Sequence, residues 1–276
     1  MSLDLMYITN NPEIALIAEK NGVRRVMIDL ETLGKEERQK NMNTVKSHHT
    51  VSDVSAISEK LTVSEVLVRV NPWNEGSVSE IEAVISAGAD ILMLPMWKTF
   101  SEVDSFLKAV NRRVHTTLLL ETKEAAEIVD EVLAHPLLDE IHIGLNDLHL
   151  SYGLTFMFEL LPDGTVERLC EKFRAKGIPY GFGGIARIGE GTLPAECIVM
   201  EHYRLGSTRA ILSRSFCNTE IVKDVNAIER IFSENMKILR KYEATLADKT
   251  AEDYKANQIR VAECVKNIVN SIKGDA

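Results

Sequence analysis

An α/β chain closed into a (β/α)8 TIM barrel, with an appended C-terminal helical pair, is the fold this sequence predicts. Three observations carry that prediction. Short apolar, β-branched runs alternate with amphipathic stretches along most of the chain; eight such runs can be marked; and each amphipathic stretch returns the chain to a new parallel strand.

In order, the candidate strands are Leu5–Thr9, Arg25–Asp29, Val66–Val70, Ile91–Pro95, Thr117–Glu121, Glu140–Gly144, Tyr180–Gly184 and Arg209–Ser213. Near-continuous apolar character marks strands buried on both faces of a parallel sheet, and eight of them favour a closed barrel over an open doubly wound sheet. Helices are expected where Pro12 opens Glu13–Asn21, where Ser77 opens the run to Ala87, and where Thr122 precedes Ala125, Ile128, Val129 and Val132. Beyond the eighth strand the chain continues from 214 to 276, more than one closing helix requires. Ile221, Val225, Ile228, Phe232, Asn235, Leu239 and Tyr242 step alternately by four and three; after the turn-like Ala247–Thr250 a second stripe runs Val261, Val265, Ile268, Ile272. Thr250 with Asp253 three residues on resembles a capping box. This divides the chain into a barrel over 1–245 and a helical extension over 246–276, read either as a brace on the barrel or as an arm on a neighbouring subunit of a homo-oligomer.

Composition narrows the function classes. With 32 Lys plus Arg against 41 Asp plus Glu the net charge is −9, and no basic block is available to neutralise a phosphate backbone, so no nucleic-acid partner is expected. The longest apolar run, Ile91 to Trp97, is far short of the ~20 residues a membrane-spanning helix needs, so no membrane is expected either. The N-terminus carries Asp4 where a signal peptide would carry positive charge, and Cys170, Cys197, Cys217 and Cys264 form no Cys-x-x-Cys pair; a reducing cytoplasm is the expected compartment.

In a barrel the active site lies at the C-terminal ends of the strands, so charges there ask for a reason other than packing. The second candidate strand ends in Asp29 and runs into Glu31; the third holds Arg69 near its end; the fifth ends in Glu121; the sixth is followed by Asn146 and Asp147. Adjacent strands lie ~4.8 Å apart, so Glu121 and Asp147 can share a cation. Two carboxylates without obligatory Cys or His suit Mg²⁺ or Mn²⁺ rather than Zn²⁺. The alternative is that Glu121 caps the next helix and Asp147 pairs with a basic neighbour, and Arg69 could equally be a structural partner of Asp29 or Glu31.

Asp29-Leu-Glu31, Val68-Arg69-Val70-Asn71-Pro72, the run Gly88 to Pro95, Leu120-Glu121-Thr122 and Gly144-Leu-Asn146-Asp147-Leu148 resemble, in order and spacing, the HpcH/HpaI aldolase and citrate lyase β-subunit family. The resemblance runs from about Ile28 to Asp147, with a weaker continuation through Gly183-Gly184-Ile185-Ala186. It implies membership of the phosphoenolpyruvate/pyruvate-binding barrels, whose members make or break a carbon–carbon bond next to a carboxylate on a divalent metal. It further implies Glu121 and Asp147 as metal ligands and Arg69 as the cation facing the oxygen that becomes an enolate. The base departs from the family pattern. Aldolase-type members have a His with an Asp partner just after the second strand, whereas His48 and His49 follow Asp29 by nearly twenty residues. Citrate-lyase-type members read Asp-Leu-Glu-Asp where this chain reads Asp29-Leu30-Glu31-Thr32. Asp29, Glu31, His48 and His49 are therefore the catalytic candidates, the histidines by folding back over the barrel mouth.

Five glycines crowd Gly181 to Gly191, and with Arg187 nearby they are expected to shape a substrate subsite at Gly183 and Gly184. Arg204, Ser207, Thr208, Arg209 and Arg214 could complete an anion pocket, the alternative being a basic rim paired with acidic surface. His142 and His149 fit a strand and a loop position. The expected activity is a metal-dependent lyase of aldolase type acting on a 2-oxo acid. The alternatives are a citrate-lyase-like or malyl-CoA-lyase-like enzyme acting on an acyl thioester, or a catalytically silent anion-binding barrel.

Overall fold

The computed structural model describes residues 2–34 and 49–274. Eight parallel strands close on themselves: β1 (Asp4–Ile8), β2 (Arg25–Asp29), β3 (Glu65–Arg69), β4 (Ile91–Leu94), β5 (His115–Leu120), β6 (Glu140–Ile143), β7 (Tyr180–Ile185) and β8 (Arg209–Leu212). Each pairs with the next, and β8 returns to β1 through Asp4↔Arg209 and Leu5↔Ala210. Every strand expected from the sequence is present, displaced by at most two residues at either end.

Local chemistry starts the helices where the sequence places them. Asn11 accepts from the Glu13 and Ile14 N–H groups ahead of Pro12–Lys20, and Thr122 accepts from Ala125 N–H. The helical stretch after Thr122 is not continuous; it forms Lys123–Glu127 and Val129–Val132, parted at Ile128.

Strand alternation gives the barrel interior three layers. Arg25, Glu65, Thr117, Glu140 and Arg209 occupy the N-terminal end. Met6, Met27, Leu67, Ile91, Met93 and Leu119 fill the middle. Asp29, Arg69 and Glu121 lie at the C-terminal end, and the larger apolar cluster lies between strands and helices.

Helices Val225–Thr245 and Ala251–Gly274 form the expected pair, and Thr250 and Asp253 make the reciprocal cap, with Asp253 N–H donating to Thr250 Oγ1 at 3.2 Å. The second stripe is covered within the chain at Val261 and Val265, while Ile268 is partly buried and Ile272 is exposed. Val261, Val265 and Val269 are buried, and Asn257 donates to Cys197 O and Glu201 Oε1 on helix Ala195–Leu205. Burial of the first half of that stripe thus needs no neighbouring subunit. Among the described residues no helix is long and apolar enough to cross a membrane.

Candidate active site

A cavity of about 590 Å³ opens at the C-terminal ends of the strands; Asp29, His49, Arg69, Glu121 and Asp147 all line it. That volume is in the range of small-molecule sites.

Glu121, one residue past β5, is fully enclosed, and Met96 N–H donates to its Oε1 at 3.1 Å. Met96 holds a left-handed φ of 54° to do so, a conformation uncommon outside glycine and of the kind that collects at functional sites. Gly144 leaves the carboxylate its space, since a Cβ there would stand 2.7 Å from Glu121 Oε2. The helix cap expected of Glu121 belongs instead to Thr122, whose hydroxyl also donates to Trp97 O. Burial raises the Glu121 carboxyl well above its ordinary range; Arg69 works against that, and Asp147 and Glu31 add to it. Asp147 lies in the first turn of Leu145–Ser151 on the same cavity wall.

Arg69 makes the pairing the sequence left open. Its Nε and Nη2 each donate to an Asp29 carboxylate oxygen at 2.9 Å, and Nη1 lies 3.4 Å from Glu31 Oε2. Cross-strand register puts Asp29 directly opposite Arg69, and their charges, with Glu31's, hold the guanidinium protonated despite burial. This two-point fork fixes the plane of the guanidinium while Arg69 still lines the cavity. Asp29 Oδ1 also accepts from Glu31 N–H, turning the chain at the strand end.

His49 does fold back over the barrel mouth, although twenty residues separate it from Asp29: its Nδ1 accepts from the Asp29 backbone N–H at 3.0 Å. A neutral ring bonded in that way carries its proton on Nε2. His48 lies outside the described residues.

Gly183 and Gly184 line the cavity as expected. Arg187 does not: it pairs with Glu190 three residues on, within the turn that follows β7. The anion pocket proposed around the last strand is likewise dispersed. Arg209 begins β8, so it points into the opposite end of the barrel, 3.1 Å from Glu140, while Arg204 pairs with Glu201 and Glu167. Of that group Arg214 lines the cavity, 3.9 Å from Glu220, and Ser213, just past β8 and outside the group, lines it as well. His142, which the sequence reading set aside, lines it too. The available signal was alternation along β6, which places Glu140, His142 and Gly144 on the inward face.

A closed parallel barrel with a forked arginine and buried carboxylates at its C-terminal mouth has the layout of a barrel enzyme site. A profile of the HpcH/HpaI aldolase/citrate lyase family matches residues 5–177, and the chain belongs to that family, whose members are carbon–carbon lyases that generally use a divalent metal. No curated protein matches significantly. Among solved structures, an HpcH/HpaI aldolase from Desulfitobacterium hafniense DCB-2 superposes with a TM-score of 0.60 at 16% identity, over 83% of this chain and 93% of that one. An HpcH/HpaI aldolase/citrate lyase family protein from Burkholderia cenocepacia J2315 gives 0.58 at 16% identity over 90% and 94%, and macrophomate synthase 0.54 at 17% over 77% of each. At such identities these likenesses speak for the fold.

The residues present fit a divalent ion. Among the described residues no set of three His, Cys, Asp or Glu side chains is grouped as a metal cage. Two carboxylates in a roomy cavity leave positions for water and substrate, which is what Mg²⁺ and Mn²⁺ accept. The buried Glu121 carboxylate, with Asp147 and Glu31 as well as Arg69 for charged neighbours, is the observation that favours a cation there.

Proposed function

We propose that this protein is a divalent-metal-dependent carbon–carbon lyase of aldolase type, acting on a 2-oxo acid through an enolate. The observation that carries the reading is the convergence, in one cavity, of a fork-held Arg69 with Glu121 and Asp147. A Mg²⁺ or Mn²⁺ ion held by Glu121 and Asp147 would supply positive charge to the substrate's oxygens.

Breaking the bond beside a carbonyl leaves an electron pair on carbon, delocalised onto oxygen as an enolate. A guanidinium already fixed by Asp29 and Glu31 stabilises that charge without reorganising, and the low-dielectric site strengthens the effect. Asp29 and Glu31 act through Arg69 by holding its plane. His49, anchored through Nδ1, lines the same cavity beside Asp29. Gly183 and Gly184 present backbone on the facing wall.

Enolisation is common to every aldol partner, so it tests the reading without the true substrate. With Mn²⁺ or Mg²⁺ the protein should exchange the methyl protons of pyruvate with deuterated water, followed by NMR. Arg69→Ala should slow exchange roughly 10²-fold, the scale of losing one preorganised charge-stabilising donor. Buffer-level exchange by protein shown to hold metal would overturn the reading for 2-oxo acids; exchange in an acetyl thioester instead would move the substrate class to thioesters.

A further inference from the structure

Strand β7 does not run regularly beside β8. The register passes from Gly181↔Arg209 to Gly184↔Ile211, three steps on β7 against two on β8, so one extra residue is accommodated between Gly181 and Gly184. A bulge of this kind bends a strand and re-aims its groups, often beside an active site. Gly183 has φ 51°, which a side chain would resist, and a Cβ there would meet Leu145 at 2.7 Å.

The Gly183 carbonyl is met by His142 Nε2 at 3.2 Å. A carbonyl only accepts, so Nε2 must carry the proton. The other ring nitrogen, Nδ1, is buried and has no hydrogen-bond partner among the described residues, which agrees with its being the unprotonated one. The ring is confined by its neighbour across the strand pair: Gly181 is its register partner, and a Cβ on Gly181 would stand 2.8 Å from Nδ1. His142 and both glycines of the bulge line the cavity or its floor.

We propose that His142, as its Nε2–H tautomer, is a positioning residue that pins the Gly183 carbonyl and thereby sets the Gly183–Gly184 wall against which substrate binds. The substrate part of this inference rests on the 2-oxo acid reading; the tautomer and the pinned carbonyl do not. A wall held by one hydrogen bond affects binding more than bond breaking, because it touches neither the metal ligands nor Arg69.

Two measurements test it. In the ligand-free protein, ¹⁵N-histidine NMR should show His142 as the neutral Nε2–H tautomer between pH 7 and 5.5; the Nδ1–H form, or a protonated ring in that range, would overturn the proposal whatever the substrate is. In the pyruvate exchange assay, His142→Leu should raise KM about 5-fold or more, the worth of one neutral hydrogen bond. Its kcat should fall less than KM rises, and Mn²⁺ affinity should be kept. His142→Gln, whose amide can donate from nearly the same place, should recover most of the KM. Equal defects in folded Leu and Gln variants, or an unchanged KM in His142→Leu, would overturn it. Failure of wild-type exchange, with the expected tautomer observed, would count against the 2-oxo acid reading and not against the pinned carbonyl.

Discussion

The two ends of the barrel both bury arginine among carboxylates, with opposite balance. At the N-terminal end Arg25 and Arg209 converge on Glu140, each with a nitrogen 3.1 Å from Oε2, while Arg25 also reaches Glu65 and His115 lies 3.3 Å from Glu140. Two guanidiniums share one enclosed carboxylate. At the C-terminal end one guanidinium, Arg69, faces Asp29 and Glu31 with Glu121 beside them. The carboxyl groups report the difference. Burial would raise Glu140, but hydrogen bonds from His115 and Arg25 and the charge of Arg209 hold it well below its ordinary range; burial lifts Glu121 well above its own. Burial of charge is common to both ends, so burial does not mark function. A local excess of one sign does, since it leaves a site in which an added cation lowers the energy.

The contrast breaks most visibly at Glu140. Replacing it by Ala leaves Arg25 and Arg209 enclosed without their shared partner, and removal of one partner from a buried pair costs about 3–5 kcal/mol. Urea unfolding should show that loss, while Mn²⁺ affinity of the folded fraction stays near wild type. Equal stability would mean that water satisfies the lower cluster.

Glu121→Gln should do the reverse. It removes a charge that burial disfavours, so metal-free stability should hold or rise, whereas Mn²⁺ binding measured by calorimetry should be lost, since one carboxylate and solvent remain. Wild-type affinity would place the cation elsewhere.

A smaller change sharpens the same point. Gly144→Ala puts a methyl group where Glu121 needs its space, and crowding of this kind costs typically about 1–3 kcal/mol. The displaced carboxylate should weaken Mn²⁺ binding by more than the melting temperature alone suggests; a strong loss of stability with unchanged affinity would show that Gly144 serves packing only.

Much of this site is written in strand parity. Asp29, Arg69 and Glu121 are inward residues at or just past the ends of β2, β3 and β5, and both position and sign can be read from the chain. Arg209 shows how the same reasoning goes astray: it lies close in sequence to Ser213 and Arg214, yet it begins β8, and one strand length separates it from the mouth. Arg187 was misplaced because a turn rich in glycine gives no direction to its side chains, and its pairing with Glu190 three residues away is a local outcome. His49 is the reverse case, a candidate that reaches the mouth across twenty residues of chain, although only the fold shows that its partner is the Asp29 backbone N–H. His142 was discounted because an apolar strand supplies an ordinary home for a histidine. Nothing in the sequence shows the bulge in β7 that gives its Nε2–H a carbonyl to meet.

The mildest test separates the two ends by the sign of their pH dependence. Burial lowers His142 to about 4, opposed by its hydrogen bond to Gly183 and the charge of Glu140 and assisted by Arg209 and Arg25; burial lowers His202 to about 3, with His142 adding to it. Both lie below the ordinary histidine value, so the unfolded chain binds more protons as pH falls below 6.5, and stability is lost from there down toward the folded values. Between pH 7 and 5.5 each ring should contribute a loss of roughly 1 kcal/mol. At the opposite end the hydrogen bond to Glu140 raises His115, whose contribution is present below 6.5 and fades as pH rises through its folded value; it is half exposed, so solvent screening keeps it small. His142 and His202 should therefore dominate the acid side. Replacing His202, which stacks on Phe182 with ring centroids 3.8 Å apart, by Phe keeps the stacked pair and removes one titration. Urea unfolding of His202→Phe at the two pH values should then show about half the wild-type loss of stability; an identical loss would mean that groups other than these two buried rings govern the acid limb.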